Sequence, residues 1–114
     1  MLQSIKLLSE CLRELSSRAE QERVWMNADN PLGEMPSFEE AYCGIYDDCD
    51  LGRQLEKGLI EEPYATHFLV LDKLMERIPS MAPPEEVVKS PDMEEIRAKA
   101  LQILKQMRLD GLID

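Results

Sequence analysis

One histidine, three cysteines and a cluster of aspartates are the residues of this chain with the widest chemical reach. His67 would serve as a general base only beside a nucleophile, and no Ser or Cys pairs with it at motif spacing. It flanks Phe68 within a helical pattern, which predicts a structural or surface histidine. Cys11, Cys43 and Cys49 are odd in number and lack Cys-x-x-Cys spacing. On a continuous helix Cys43 and Cys49 would diverge in angle, so all three are expected to pack as small buried hydrophobes. Asp47-Asp48-Cys49-Asp50 offers carboxylate oxygens to a hard cation, but the offsets of a calcium loop are missing and Gly52 falls early. A helix end with an acidic surface is the better reading. The carboxylate pairs Glu39-Glu40, Asp47-Asp48 and Glu61-Glu62 point ~100° apart on a helix and share no site by spacing alone. Five scattered glycines form no phosphate loop. These patterns predict no enzyme, no metal and no cofactor.

Charge carries more information. The 114 residues hold 23 acids and 13 bases, a net charge of −10 that repels nucleic acid and anionic membranes. Residues 29–62 contain ten acids against two bases, a net of −8, whereas residues 1–28 balance and residues 63–114 carry −2. A solvated acidic face would keep the protein soluble, yet solubility alone does not require such segregation. Steering toward a basic partner does, and tyrosines among the carboxylates are suited to anchor an interface. The N-terminus lacks the basic and long apolar stretches of a signal peptide, and no run approaches the ~18 apolar residues of a membrane span. With cysteines too few for a disulfide framework, the cytosol is the expected compartment.

The elements that position these residues are helical. Leu2, Ile5, Leu8, Leu12 and Leu15 form one stripe, and Ser17-x-x-Glu20 is a capping box that starts a second helix toward Val24 and Trp25. One bent helix is the alternative. Residues 27–36 read as a loop rich in Asn, Pro and Gly. Ser37-Phe38-Glu39-Glu40 is a second capping box, opening a helix with Phe38, Ala41, Tyr42, Ile45 and Cys49 inward. The aspartates end or kink it, Asp50 caps a short turn over residues 51–57, and Gly58 closes that turn. Pro63 suits the first turn of a helix carrying Tyr64, Phe68, Leu71, Leu74 or Met75, and Ile78 as its apolar stripe. A linker with a helical turn at residues 85–89 precedes Ser90-Pro91-Asp92, which caps a helix with Met93, Ile96, Ala100, Ile103, Leu104 and Met107 inward. Residues 1–114 therefore predict a single all-α domain, a compact bundle of four to five helices. Met75, Met81, Met93 and Met107 are expected to fill its core, and Trp25 to anchor it.

Gln21-x-x-Val24-Trp25, Ser37-Phe38-Glu39 and Ile45-Tyr46-Asp47-Asp48 with Leu51 together resemble a pattern of small uncharacterised bacterial all-helical proteins. In size and acidity the chain is also similar to bacterial immunity proteins, which neutralise toxins. That resemblance implies a cytoplasmic binding protein that occupies the cationic surface of a toxin. The expected contacts are Glu39, Glu40, Asp47, Asp48 and Asp50 as steering charges, with Tyr42 and Tyr46 as anchors. The competing expectation is a structural or regulatory module that pairs as a homodimer through exposed apolar faces.

Overall fold

A computed structural model describes residues 4–25, 38–79 and 82–113, without the side chains of Val24, Glu39 and Asp48. Helix α1, Ile5–Ser16, turns Leu8, Leu12 and Leu15 fully inward, as its stripe predicts. Ser17 breaks it in an extended conformation and its hydroxyl accepts the Glu20 N–H at 3.2 Å, which starts α2 at Arg18–Val24. Two helices meeting at a capped corner are therefore present, rather than one bent helix. Trp25 comes next, buried to 1% exposure.

The third helix, α3 at Phe38–Cys43, succeeds the predicted capping serine Ser37, which lies outside the described residues. At Gly44 the chain widens into a π-helical turn, Gly44–Asp48, in which Cys49 N–H reaches back to the Gly44 carbonyl at 3.1 Å. Glycine is needed there because a Cβ would stand 2.7 Å from the Cys11 sulfur of α1. Asp50 then adopts a left-handed conformation, φ 56°, tolerated by Asp better than by most residues. This stops the helix where the aspartate run predicted. Asp50 does not cap α4, Leu51–Glu56, with its side chain. Gly58, φ 69°, closes α4: its N–H reaches Leu55 O while Leu59 N–H reaches Gln54 O, the paired arrangement of a Schellman end.

Helix α5, Tyr64–Glu76, buries Tyr64, Phe68, Leu71 and Met75. Pro63 sits just before it, one position earlier than expected. After α6, Pro84–Lys89, Ser90 accepts the Met93 N–H at 3.1 Å and opens α7, Pro91–Leu109, with Pro91 at its first position. The six inward positions predicted for α7 are all at or below 1% exposure. Each of the larger ones contributes about 1.5–3 kcal/mol of burial.

Helix α7 is the spine, packed on α1 along one side and on α5 along another. The α5 and α7 axes run antiparallel: Tyr64 Oη donates to Asp110 at 2.5 Å at one end, and Arg77 bonds Glu95 at 3.0 Å at the other. The α1–α2 corner is stitched in by Gln21, which is fully buried. Its Nε2 donates to the Glu14 and Leu15 carbonyls at 2.9 and 2.8 Å, and its Oε1 accepts from Arg97 Nε at 2.9 Å. Arg97 donates onward to the Val88 carbonyl of α6.

The fold is all-α and compact, with a radius of gyration of 13.9 Å against ~13 Å expected for this length. Among the described residues there is no strand, and seven α-helical segments replace the four to five expected. The turns expected at residues 51–57 and 85–89 are complete short helices, α4 and α6, and a π turn continues α3 up to Asp48. Of the described helices, α1, α2, α5 and α7 reach seven residues or more. Among the described residues no helix is long and apolar enough to cross a membrane.

Candidate partner-binding surface

Two elements distant in sequence meet beside Tyr42. The phenol of this α3 residue donates to Asp72 Oδ1 of α5 at 2.8 Å, and its ring lies 4.9 Å from that of Tyr46. Burial, then the bond to Asp72, then the charges of Asp72, Glu76 and Asp47 push the Tyr42 phenol up to about 12. All three of those charges are negative. Asp72 of α5 thus bonds this half-buried residue directly, and Glu76 of α5 and Asp47 of the π turn act on it through their charge, although α5 belongs to the segment that carries only −2.

Tyr46 is one turn further on and occupies a different environment. It is 7% exposed, its hydroxyl donates to the Phe68 carbonyl at 2.8 Å, and burial raises its phenol strongly. Tyr46 is therefore a core residue, and the expected second anchor is not on the surface. The i+4 spacing from Tyr42 carries it beneath α5, where the π turn rotates it inward.

The expected steering charges separate in the same way. Asp47 and Glu40 are exposed. Asp50 is clasped by Arg53 through Nε at 2.9 Å and Nη2 at 2.6 Å, and that pairing holds its carboxyl below its ordinary value. It adds little to the outward field. The side chains of Glu39 and Asp48 lie outside the described part of the structure. Asp72 and Glu76, absent from the sequence prediction, bear on Tyr42 from α5. Their spacing of four residues on α5 was the available signal, because it places both on one helical face.

Next to Tyr42 an apolar groove of about 290 Å³ is lined by Phe38, Tyr42, Cys43, Met75, Glu76, Ile78 and Pro79. Phe38 meets Trp25 edge-on, ring centroids 6.3 Å apart, so one wall is braced by the core. Cys43 is exposed at this groove, contrary to the expectation that it packs inside; Cys11 and Cys49 are buried as expected. The difference comes from register: Cys43 is two positions past the buried Ala41 and one before the Gly44 contact with α1.

The remaining chemical candidates sit elsewhere. His67 Nδ1 lies 2.8 Å from Lys99 Nζ, and burial followed by the Lys99 charge lowers the imidazole below its ordinary value. A second concavity of about 320 Å³ at the α1–α2 corner is lined by Glu10, Arg13, Glu14, Ser17 and Glu20. There Glu14 accepts from Trp25 Nε1 at 2.5 Å, and burial raises its carboxyl despite that bond. Arg13 offsets the acids of this corner. Met75, Met93 and Met107 fill the core as expected, while Met81 lies outside the described residues. Among the described residues no three His, Cys, Asp or Glu side chains gather as a metal-holding group.

No protein-family model, no curated protein and no solved structure matches this chain.

Proposed function

We propose that this chain is an acidic, cytosolic binding protein that neutralises a basic protein partner, and that it acts as an immunity protein against a bacterial toxin. The observation that carries the reading is the convergence of Asp47, Asp72 and Glu76 around Tyr42, beside an apolar groove. Like charges gathered from two separate helical segments repel one another, and a cationic surface would relieve that repulsion. Such a surface on a nuclease would be the one it uses for its substrate, so occupying it would block activity without any chemistry by the inhibitor.

The test is protection from toxicity. The genes adjoining this one in the source organism are expressed with and without it. A basic product that arrests growth alone and is tolerated with this chain supports the reading. Glu40→Lys with Asp47→Lys, two exposed sites, should lose protection and salt-sensitive binding. Protection indifferent to both changes would overturn it.

A second reading rests on Leu69 and Val70 of α5 and Leu101 of α7, exposed at 49%, 39% and 41%. A homodimer would cover these side chains. Sedimentation across a wide concentration range decides it, since a monomer at every concentration removes the reading.

A further inference from the structure

We infer that the groove beside Tyr42 seats one large apolar side chain of a basic protein segment, with the neighbouring lysine or arginine of that segment held by Glu76 and Asp72. The inference rests on the reading above that the partner is basic, and specifies how that partner is recognised. Volume limits the occupant first. About 290 Å³ lies at the lower edge of the ~300–1,000 Å³ typical of small-molecule sites, which suits a side chain better than a cofactor. Lining comes next: Phe38, Met75, Ile78 and Pro79 present carbon and sulfur, and the Tyr42 hydroxyl already donates to Asp72. The thioether of Met75 adapts to an aromatic or aliphatic guest.

Charge then selects among apolar guests. Among the described lining residues Glu76 is the charged one and none is a lysine or arginine, while Asp72 and Asp47 act on the same ring. A second copy of this chain, net −10, would bring further acids to that rim. A segment carrying Lys or Arg next to its apolar residue satisfies both features at once. An apolar anchor in a pocket surrounded by polar groups is the usual build of an interface hot spot.

Two lysine-rich peptides, identical except for a central Phe or Gly, provide the test by amide chemical-shift titration of the full chain. The Phe peptide should bind about tenfold tighter and shift the amides of Phe38, Cys43 and Ile78. Cys43→Arg, at an exposed position, should remove that preference while circular dichroism stays unchanged. Glu76→Gln should weaken both peptides alike. Equal, salt-sensitive binding of the two peptides would overturn the groove inference and leave the acidic-surface reading standing. Failure of both to bind would overturn it too, with growth protection still deciding the wider function. A peptide copying residues 26–37 that shifts the same amides would also overturn it, by making the groove a seat for this chain's own segment.

Discussion

Replacing Gln21 with methionine should destabilise this fold by about 3 kcal/mol, although the substitution keeps the length and shape of the side chain. Gln21 is fully buried and makes three hydrogen bonds, two to the Glu14 and Leu15 carbonyls at the end of α1 and one from Arg97. Losing the two neutral bonds costs about 1 kcal/mol each, and losing the bond from the guanidinium about 1.5–3 kcal/mol. The thioether recovers about 1 kcal/mol through its more favourable burial. For 114 residues the whole stability is on the order of 6–17 kcal/mol, so one side chain would remove a large share. Urea unfolding monitored by the single tryptophan should show the midpoint falling by roughly 1–3 M with an unchanged slope. A double-mutant cycle with Arg97→Met should return about 1.5–3 kcal/mol of coupling. A loss under about 1 kcal/mol, or additivity within about 0.5 kcal/mol, would refute the idea that this amide holds the α1–α2 corner onto α6 and α7.

Alkaline pH should erode stability in a defined window. The Tyr42 phenol is pushed up to about 12, chiefly by burial, and Tyr46 and Tyr64 are raised as well. The folded state therefore holds these protons more tightly than the unfolded chain. Their contribution is complete below pH ~10 and is lost as pH climbs from there toward ~12 and beyond. Phenolate absorbance rising near pH ~10 in the native protein would contradict this. Gly44→Ala should cost about 1–3 kcal/mol because the new Cβ meets the Cys11 sulfur at 2.7 Å. In a Cys11→Ala background the same change should cost much less, and equal penalties in the two backgrounds would show that the close approach is not the cause. With a thiol reagent under native conditions, Cys43 should react first, while Cys11 and Cys49 wait for unfolding. Fast reaction of either buried thiol would place the α1 packing in error.

Periodicity made the long helices legible because burial there depends on one face of one segment. In α7 every residue assigned inward is inside, and Ser90, Pro91 and Gly111 mark its ends by local chemistry alone. In the α3–α4 region the same reasoning placed Ala41, Ile45 and Cys49 inside but did not reveal the π turn between them. A π turn adds a residue per turn, and nothing in Gly44–Asp48 distinguishes that turn from α-helix in the sequence. The glycine that permits it is required by Cys11, 33 positions earlier, a contact invisible to any local pattern. Gln21 illustrates the same limit. A polar residue on α2 reads as solvent-facing until Arg97 and the end of α1 are brought to it.

Charge counted along the chain described the acidic surface in part. Counting charge along the chain located the acidic third, and Asp47 and Glu40 are exposed there. Counting could not register that Arg53 neutralises Asp50 one turn later, or that α5 lays Asp72 and Glu76 beside Tyr42 from a segment nearly balanced in sign. The field a partner meets is set by spatial neighbours within about a Debye length, ~8–10 Å, and not by sequence windows. Tyr46 adds the converse lesson. Its phenol is polar enough to suggest an anchor, but Phe68 O accepts its proton inside the core, so of the two expected anchors Tyr42 alone stands between water and the acids. On the proposed function, recognition of a basic partner therefore depends on the α3–α5 junction, with Asp47 beside it, more than on Asp50. Charge reversal at Asp72 or Glu76 should weaken such a partner more than reversal at Asp50, where Arg53 already holds the carboxylate. Equal losses at the three sites, measured by titration at matched ionic strength, would return the binding face to the aspartate run.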